Sequence, residues 1–196
     1  LRHVLINHLQ YTIMRTISDQ ELVAIIIQGD IEAYAEIISR YESKLTRYVT
    51  YLTHNSNLTT DIIQDTFIKA YQNLHSYNPK YKFSSWIYRI AHNEAMNAIK
   101  RTRFISDDDV NELPDKQYDQ RIAEVVDSDI LKKHVRACLS QLEPKYREVI
   151  QLVYFENLKY GEISDVLHVP IATVGVRLSR AKAKLRLLCN RKGVKR

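Results

Sequence analysis

Glycine is scarce in this chain. Four occur in 196 residues, Gly29, Gly161, Gly175 and Gly193. Four isolated glycines cannot build a phosphate-cradling loop or a dinucleotide fingerprint. Cysteine is scarcer: Cys138 and Cys189 lie far apart and outside any CxxC pattern, near apolar helical positions. They read as buried thiols of a reducing compartment rather than as a disulfide. The seven histidines are scattered without ligand spacing, so no metal site is expected. No apolar run approaches the ~18 residues of a membrane span. Residues 1–14 carry neither a long apolar core nor a small-residue cleavage site, so no secretory signal is read there. Sustained period-two alternation and NG or DG hairpin turns are missing as well, which argues against a sheet.

What is present is charge and helical periodicity. The formal charge is +6 and the isoelectric point about 9.2, a balance that favours a polyanionic partner. Ser18-Asp19-Gln20-Glu21 is a capping box opening a first helix that Gly29 stops. A longer helix is expected from Ile31 to Leu52, with Tyr34, Ile37, Ile38, Tyr41, Leu45 and Tyr48 on its inner side. After a loop at 54–57, Thr59 or Thr60 caps a third helix, Asp61 to Leu74. Ser84 or Ser85 caps a fourth, Trp86 to Arg101. Residues 107–129 then hold nine acids against Lys116 and Arg121, a linker signature. Periodicity resumes near Ile130. Pro144 suits the first turn of a helix over 146–155, which Asn157 closes in a left-handed conformation.

Tyr160 to Leu185 reads as two short helices broken at Val169-Pro170, the form of a helix-turn-helix. Val174, Leu178, Ala181 and Leu185 make one buried stripe. Thr173, Arg177, Arg180 and Lys184 share the face beside it, and Gly175, Ser179, Lys182 and Arg186 lie on a second flank. From Arg177 to Arg196 there are nine Lys or Arg and no acid, as a phosphate-facing surface requires. The fold class is therefore all-α: two small helical domains joined by an acidic flexible linker. The expected organisation is an N-terminal extension over 1–17, a first domain over 18–104, the linker over 105–128 and a second domain over 129–196. The chain begins with Leu1. Translation from a non-standard codon, or from Met14 with 1–13 as an extension, is the expectation for that end.

Asp61 to Arg101, DIIQDTFIKAYQNLHSYNPKYKFSSWIYRIAHNEAMNAIKR, resembles the second conserved region of bacterial sigma factors. Leu142 to Arg186 resembles their fourth region. With the first and third regions missing, the layout is similar to the extracytoplasmic-function (ECF) subgroup of the sigma-70 family. The resemblance implies a non-catalytic protein that binds core RNA polymerase and directs promoter-specific initiation. It implies that Asp61, Gln64, Asp65, Thr66, Ile68 and Gln72 dock on the clamp helices of the large polymerase subunit, with Phe67 turned inward. It implies minus-ten recognition by Tyr77 to Arg103. There Tyr77, Asn78, Lys80, Tyr81, Ser84, Arg89, Asn93, Lys100 and Arg101 are the candidates. Their mix of rings and cations suits single-stranded DNA, and a flipped base needs a polar pocket such as Asn78, Lys80, Ser84 and Asn93 would offer. Tyr77 and Tyr81 are expected to be exposed, Trp86 to pack in the core, and His92 to sit on the helix surface.

For the minus-thirty-five duplex the candidates are Thr173, Arg177, Ser179, Arg180, Lys182, Lys184 and Arg186. Arg177 and Arg180 are placed for bases or phosphates, and Lys182, Lys184 and Arg186 for the backbone. Gly175 departs from the family, where Lys or Arg is common. No catalytic residue and no cofactor is expected. The implied partners are core polymerase, promoter DNA and an anti-sigma factor, in the bacterial cytoplasm or tethered to the membrane through that inhibitor. The competing reading is a free-standing helix-turn-helix regulator, which would bind duplex tightly without polymerase.

Overall fold

The computed structural model describes residues 14–105, 134–135 and 137–191. Among them every regular element is helical. The expected acidic linker lies outside the described residues except for Ile105, which ends a helix.

Helix α1, Asp19–Ile27, starts where the capping box predicts. The Ser18 amide donates to Glu21 Oε2 (2.8 Å) and the Glu21 amide to Ser18 Oγ (3.3 Å). Gly29 adopts φ 114°, a conformation that glycine tolerates. A 3₁₀ turn, Ile31–Ala33, leads into α2, Tyr34–Thr53. Arg40 of α2 donates to the carbonyls of Met14 (2.5 Å) and Ile17 (3.0 Å). The segment just before the capping box is thereby held on the first module, where Met14 and Ile17 pack against the core.

Helix α3, Ser56–Gln72, begins five residues before the sequence expectation. Asn55 is the cap, its Oδ1 accepting from the Leu58 amide (3.0 Å). Thr59 instead faces inward, bonded to Thr53 (2.9 Å) and to the Asn55 carbonyl (2.8 Å), and Thr60 back-bonds to the Ser56 carbonyl. Helix α4, Phe83–Ile105, is likewise longer than expected. Neither serine caps it: Ser85 Oγ donates to the Lys82 carbonyl (2.9 Å) and Ser84 Oγ to Glu162 (3.1 Å).

In the C-terminal part, Pro144 opens α5, Pro144–Ile150. A π-helical turn, Gln151–Phe155, continues it, and Asn157 turns left-handed at φ 55° as expected. Helix α6, Tyr160–Leu167, ends at His168 with φ 52°. Ser164 Oγ donates to the Val169 carbonyl (2.6 Å), and the Pro170 carbonyl receives the Thr173 and Val174 amides. Those bonds fix the tight turn into α7, Ile171–Arg191. Val174, Leu178 and Ala181 form the expected buried stripe, and Leu185 packs against it half-buried.

Ile37, Leu45, Phe67, Phe83 and Ile87 fill the first module; Val149, Leu152, Ile163, Val166 and Val174 fill the second. Their side chains form one continuous cluster. The modules meet chiefly through α4 and α6.

Candidate nucleic-acid interface

The first surface is α3. Asp61, Gln64, Asp65, Ile68 and Gln72 are all exposed. Asp61, Asp65, Ile68 and Gln72 recur at spacings of four, three and four, so they share one face. Ile68 is 54% exposed and Tyr71, absent from the expected set, is 39% exposed. An apolar pair flanked by carboxylates is a contact surface that burial within the chain leaves available. Thr66 is a correction. Its side chain is buried and its hydroxyl donates to the Ile62 carbonyl at 2.7 Å, so it supports the helix from inside. Lys69 pairs with Glu94 of α4 (2.5 Å) rather than with Asp65.

The second surface is the loop before α4. Tyr77 is buried, not exposed. Its ring meets Phe83 edge-on (centroids 5.5 Å, 85°) and tilts against Trp86 (5.6 Å), and its hydroxyl donates to the Tyr81 carbonyl (2.6 Å). Aromatic edges and faces attract through their quadrupoles, so this cluster overrides the polar neighbours that suggested exposure. Trp86 packs in the core as expected, while Tyr81 is 56% exposed. Asn78 accepts from the Lys80 amide (3.0 Å), a turn that holds the loop. Ser76, Tyr77, Asn78, Tyr81, Ser85, Trp86 and Arg89 line a cleft of about 260 Å³. That volume is close to the lower end of small-ligand sites. Lys80, Ser84 and Asn93 are not among its lining residues, and Lys100 and Arg101 lie exposed further along α4.

The cleft has an eighth wall, Asp165, contributed by α6 of the second module. Its neighbours explain how it gets there. Glu156 has a fully buried side chain and accepts from Arg47 Nε (3.0 Å), Arg47 Nη2 (2.7 Å), the Tyr88 hydroxyl (2.7 Å) and Gln151 (3.0 Å). The π turn just before it ends with the Glu156 amide bonded to the Gln151 carbonyl, a register that a plain α-helix would not give. Glu148 accepts from Tyr48 (2.9 Å) and lies 2.9 Å from His92 Nδ1. Glu162 lies 3.2 Å from Lys82 and accepts from Ser84. Three carboxylates of the second module thus plug into cations and hydroxyls of the first. Burial first, then the adjoining carboxylates, push the Tyr48 and Tyr88 hydroxyls far above the ordinary phenol range, which keeps them as donors. His92, expected on the surface, belongs to this network.

The third surface is α7. Ser179, Arg180, Lys182, Lys184 and Arg186 are exposed; Thr173 and Arg177 are half-buried. Two lysines are already engaged. Lys184 binds Glu143 and sits 4.7 Å over the Tyr146 ring, and Lys182 sits 5.5 Å over Tyr154. The Glu143 bond raises the Lys184 pKa, and the Lys184 ammonium in turn lowers that of Glu143. The Cβ position of Gly175 opens onto empty space.

The two modules match two known families in chain order. Residues 37–105 match sigma-70 region 2 and residues 133–185 match sigma-70, region 4. The ECF RNA polymerase sigma factor SigW of Bacillus subtilis is 32% identical over 168 residues, spanning 81% of this chain and 90% of its own. The ECF RNA polymerase sigma-E factor of Haemophilus influenzae is 30% identical over 179 residues, 85% and 92% of the two chains. Two solved structures share the fold. One is CnrH in complex with the cytosolic domain of CnrY (TM-score 0.66, 22% identity, 89% of this chain and 99% of that one). The other is the sigma factor RpoE in complex with the anti-sigma factor NepR from Bartonella quintana (TM-score 0.63, 21% identity, 83% and 98%). Two region models in order, on a chain whose described elements are all helical, with an acidic and apolar face on α3 and a basic face on α7, identify this chain as a member of the ECF group of sigma-70 family RNA polymerase sigma factors.

Proposed function

We propose that this sigma factor performs no chemistry of its own and works by geometry: α3 docks on core polymerase, the loop before α4 takes the minus-ten strand, and α7 reads the minus-thirty-five duplex. The observation that carries the docking assignment is the exposed face of Asp61, Asp65, Ile68 and Gln72, with Gln64 beside it. Ile68 supplies apolar area, and the carboxylates select a basic counter-surface and speed encounter. The cleft beneath Tyr81 supports capture of one unstacked base. Its walls combine ring faces with Ser85, Asn78 and Arg89. Lys100 and Arg101 track the strand beyond it.

Asp165 lines that cleft from the second module, so a phosphate strand entering there meets a carboxylate of like charge. Separation of the modules therefore precedes promoter capture, and polymerase binding supplies the differential affinity for the separated form. An anti-sigma factor is the partner proposed to act on the same equilibrium, in keeping with the complex of RpoE with NepR. The working compartment proposed is the bacterial cytoplasm. No described helix is long and apolar enough to cross a membrane.

The test is the double substitution Asp61→Lys with Asp65→Lys, assayed for core polymerase affinity by fluorescence anisotropy. Core binding is expected to fall to the nonspecific level while the circular dichroism melt stays unchanged. Unaltered core affinity would move the docking surface off α3.

A further inference from the structure

One cluster of ligand-type side chains lies apart from all three surfaces. A ring nitrogen of His134 and the Sγ atoms of Cys138 and Cys189 lie within 4.8 Å of one another. His134 and Cys138 are both helical and four residues apart, a spacing that puts them on the same side. Cys189 reaches them from the last turns of α7. Cys138 is fully buried; His134 and Cys189 are half-buried.

A second feature points to a ligand. His134 Nε2 lies 3.1 Å from the Cys189 carbonyl. A carbonyl only accepts, so Nε2 is the donor in this contact, which in the neutral ring leaves the lone pair on Nδ1. Histidines that bind metal ions have this arrangement as a rule, one nitrogen on the ion and the other donating to a carbonyl or carboxylate.

We propose that His134, Cys138 and Cys189 bind Zn²⁺. Two thiolates and an imidazole are soft and borderline donors, which suit zinc and exclude the oxygen-seeking Mg²⁺ and Ca²⁺. Zn–S bonds of about 2.3 Å and Zn–N bonds of about 2.0 Å in tetrahedral geometry need donor atoms roughly 3.5–3.8 Å apart. Side-chain rotation within the observed cluster supplies that contraction. Three protein ligands leave the fourth position to water. As each S–Zn bond forms, the thiol proton leaves to solvent, so acid opposes binding. The ion fastens the helical turn that opens the second module to the far end of α7, and so holds the end of the basic helix. The site was not legible from spacing because its third ligand comes from a distant stretch of chain.

The test uses the full-length chain, reduced and stripped with a chelator, and Co²⁺ as a spectroscopic stand-in for Zn²⁺. One equivalent of Co²⁺ is expected to raise a near-ultraviolet thiolate-to-cobalt charge-transfer band together with visible ligand-field bands. Zn²⁺ should abolish both on displacing it. Cys189→Ser and His134→Gln should each weaken Co²⁺ binding at least tenfold and remove the Zn²⁺-dependent rise in melting temperature, while melting like the parent without metal. Absence of the bands in the parent chain overturns the proposal. So does binding that persists at parental strength in both variants.

Discussion

Arg47 and Glu156, 109 positions apart in the chain, form a two-pronged ion pair across the contact between the modules, Nε to Oε1 at 3.0 Å and Nη2 to Oε2 at 2.7 Å. Planar guanidinium and planar carboxylate match in this geometry, which fixes orientation as well as distance. Removing one member leaves the other charge buried, which costs roughly 3–5 kcal/mol in comparable pairs. Glu156→Gln should therefore lower the urea midpoint strongly and increase the radius of gyration measured by solution scattering. A variant with the parent's midpoint and radius would show that the pair does not hold the modules together.

Promoter contact by α7 predicts unequal effects among its cations. Arg177→Ala and Arg180→Ala should each weaken minus-thirty-five duplex binding in the polymerase complex by about 1–3 kcal/mol per lost base contact. Lys184→Ala should cost less, because its ammonium is already bound to Glu143 and stacked over Tyr146. Equilibrium binding to one labelled duplex at fixed salt ranks the three. A larger loss at Lys184 than at either arginine would show that its ammonium leaves Glu143 to contact the DNA.

The same lysine gives a pH prediction. Lys184 and Lys145 hold the Glu143 carboxyl below its ordinary value through their hydrogen bonds. A depressed carboxyl contributes stability that is present above its unfolded pKa and lost as pH falls through the lower folded pKa. In Lys184→Ala the Glu143 carboxyl should titrate at a higher pH than in the parent, measured by carbon-detected nuclear magnetic resonance. An identical titration would mean that the Lys184 contact is absent in solution.

Gly175 lies inside α7 with open space where a side chain would start. Glycine in a helix interior is less favourable than alanine by about 0.8–1.0 kcal/mol. Gly175→Ala should raise the unfolding free energy by about that amount, measured by urea titration. Destabilisation would mean that something fills the space.

Most of the helices were legible because each rests on a local pattern. Ser18 and Glu21 cap α1 from three residues apart, Asn157 turns left-handed where its type permits, and Val174, Leu178 and Ala181 make their stripe from spacing alone. Errors fell where tertiary contacts overrode the local signal. Thr59 resembles a cap but serves as an inward hydrogen-bonding group beside Thr53. Tyr77 sits among Asn, Pro and Lys yet is captured by Phe83 and Trp86. Thr66 carries a family motif but spends its hydroxyl on its own helix. The roles of Asp165, Glu156 and His92 depend on how the modules pack, which no window of the sequence encodes.

The central claim is that this chain selects promoters only as part of polymerase. Its most direct test is in vitro transcription of fragmented bacterial genomic DNA by core polymerase, with and without the chain, with every start site mapped. The predicted result is a new set of start sites that appears only with the chain and shares two sequence elements at one fixed spacing. No new start sites, together with tight specific binding of DNA by the chain alone, would contradict it.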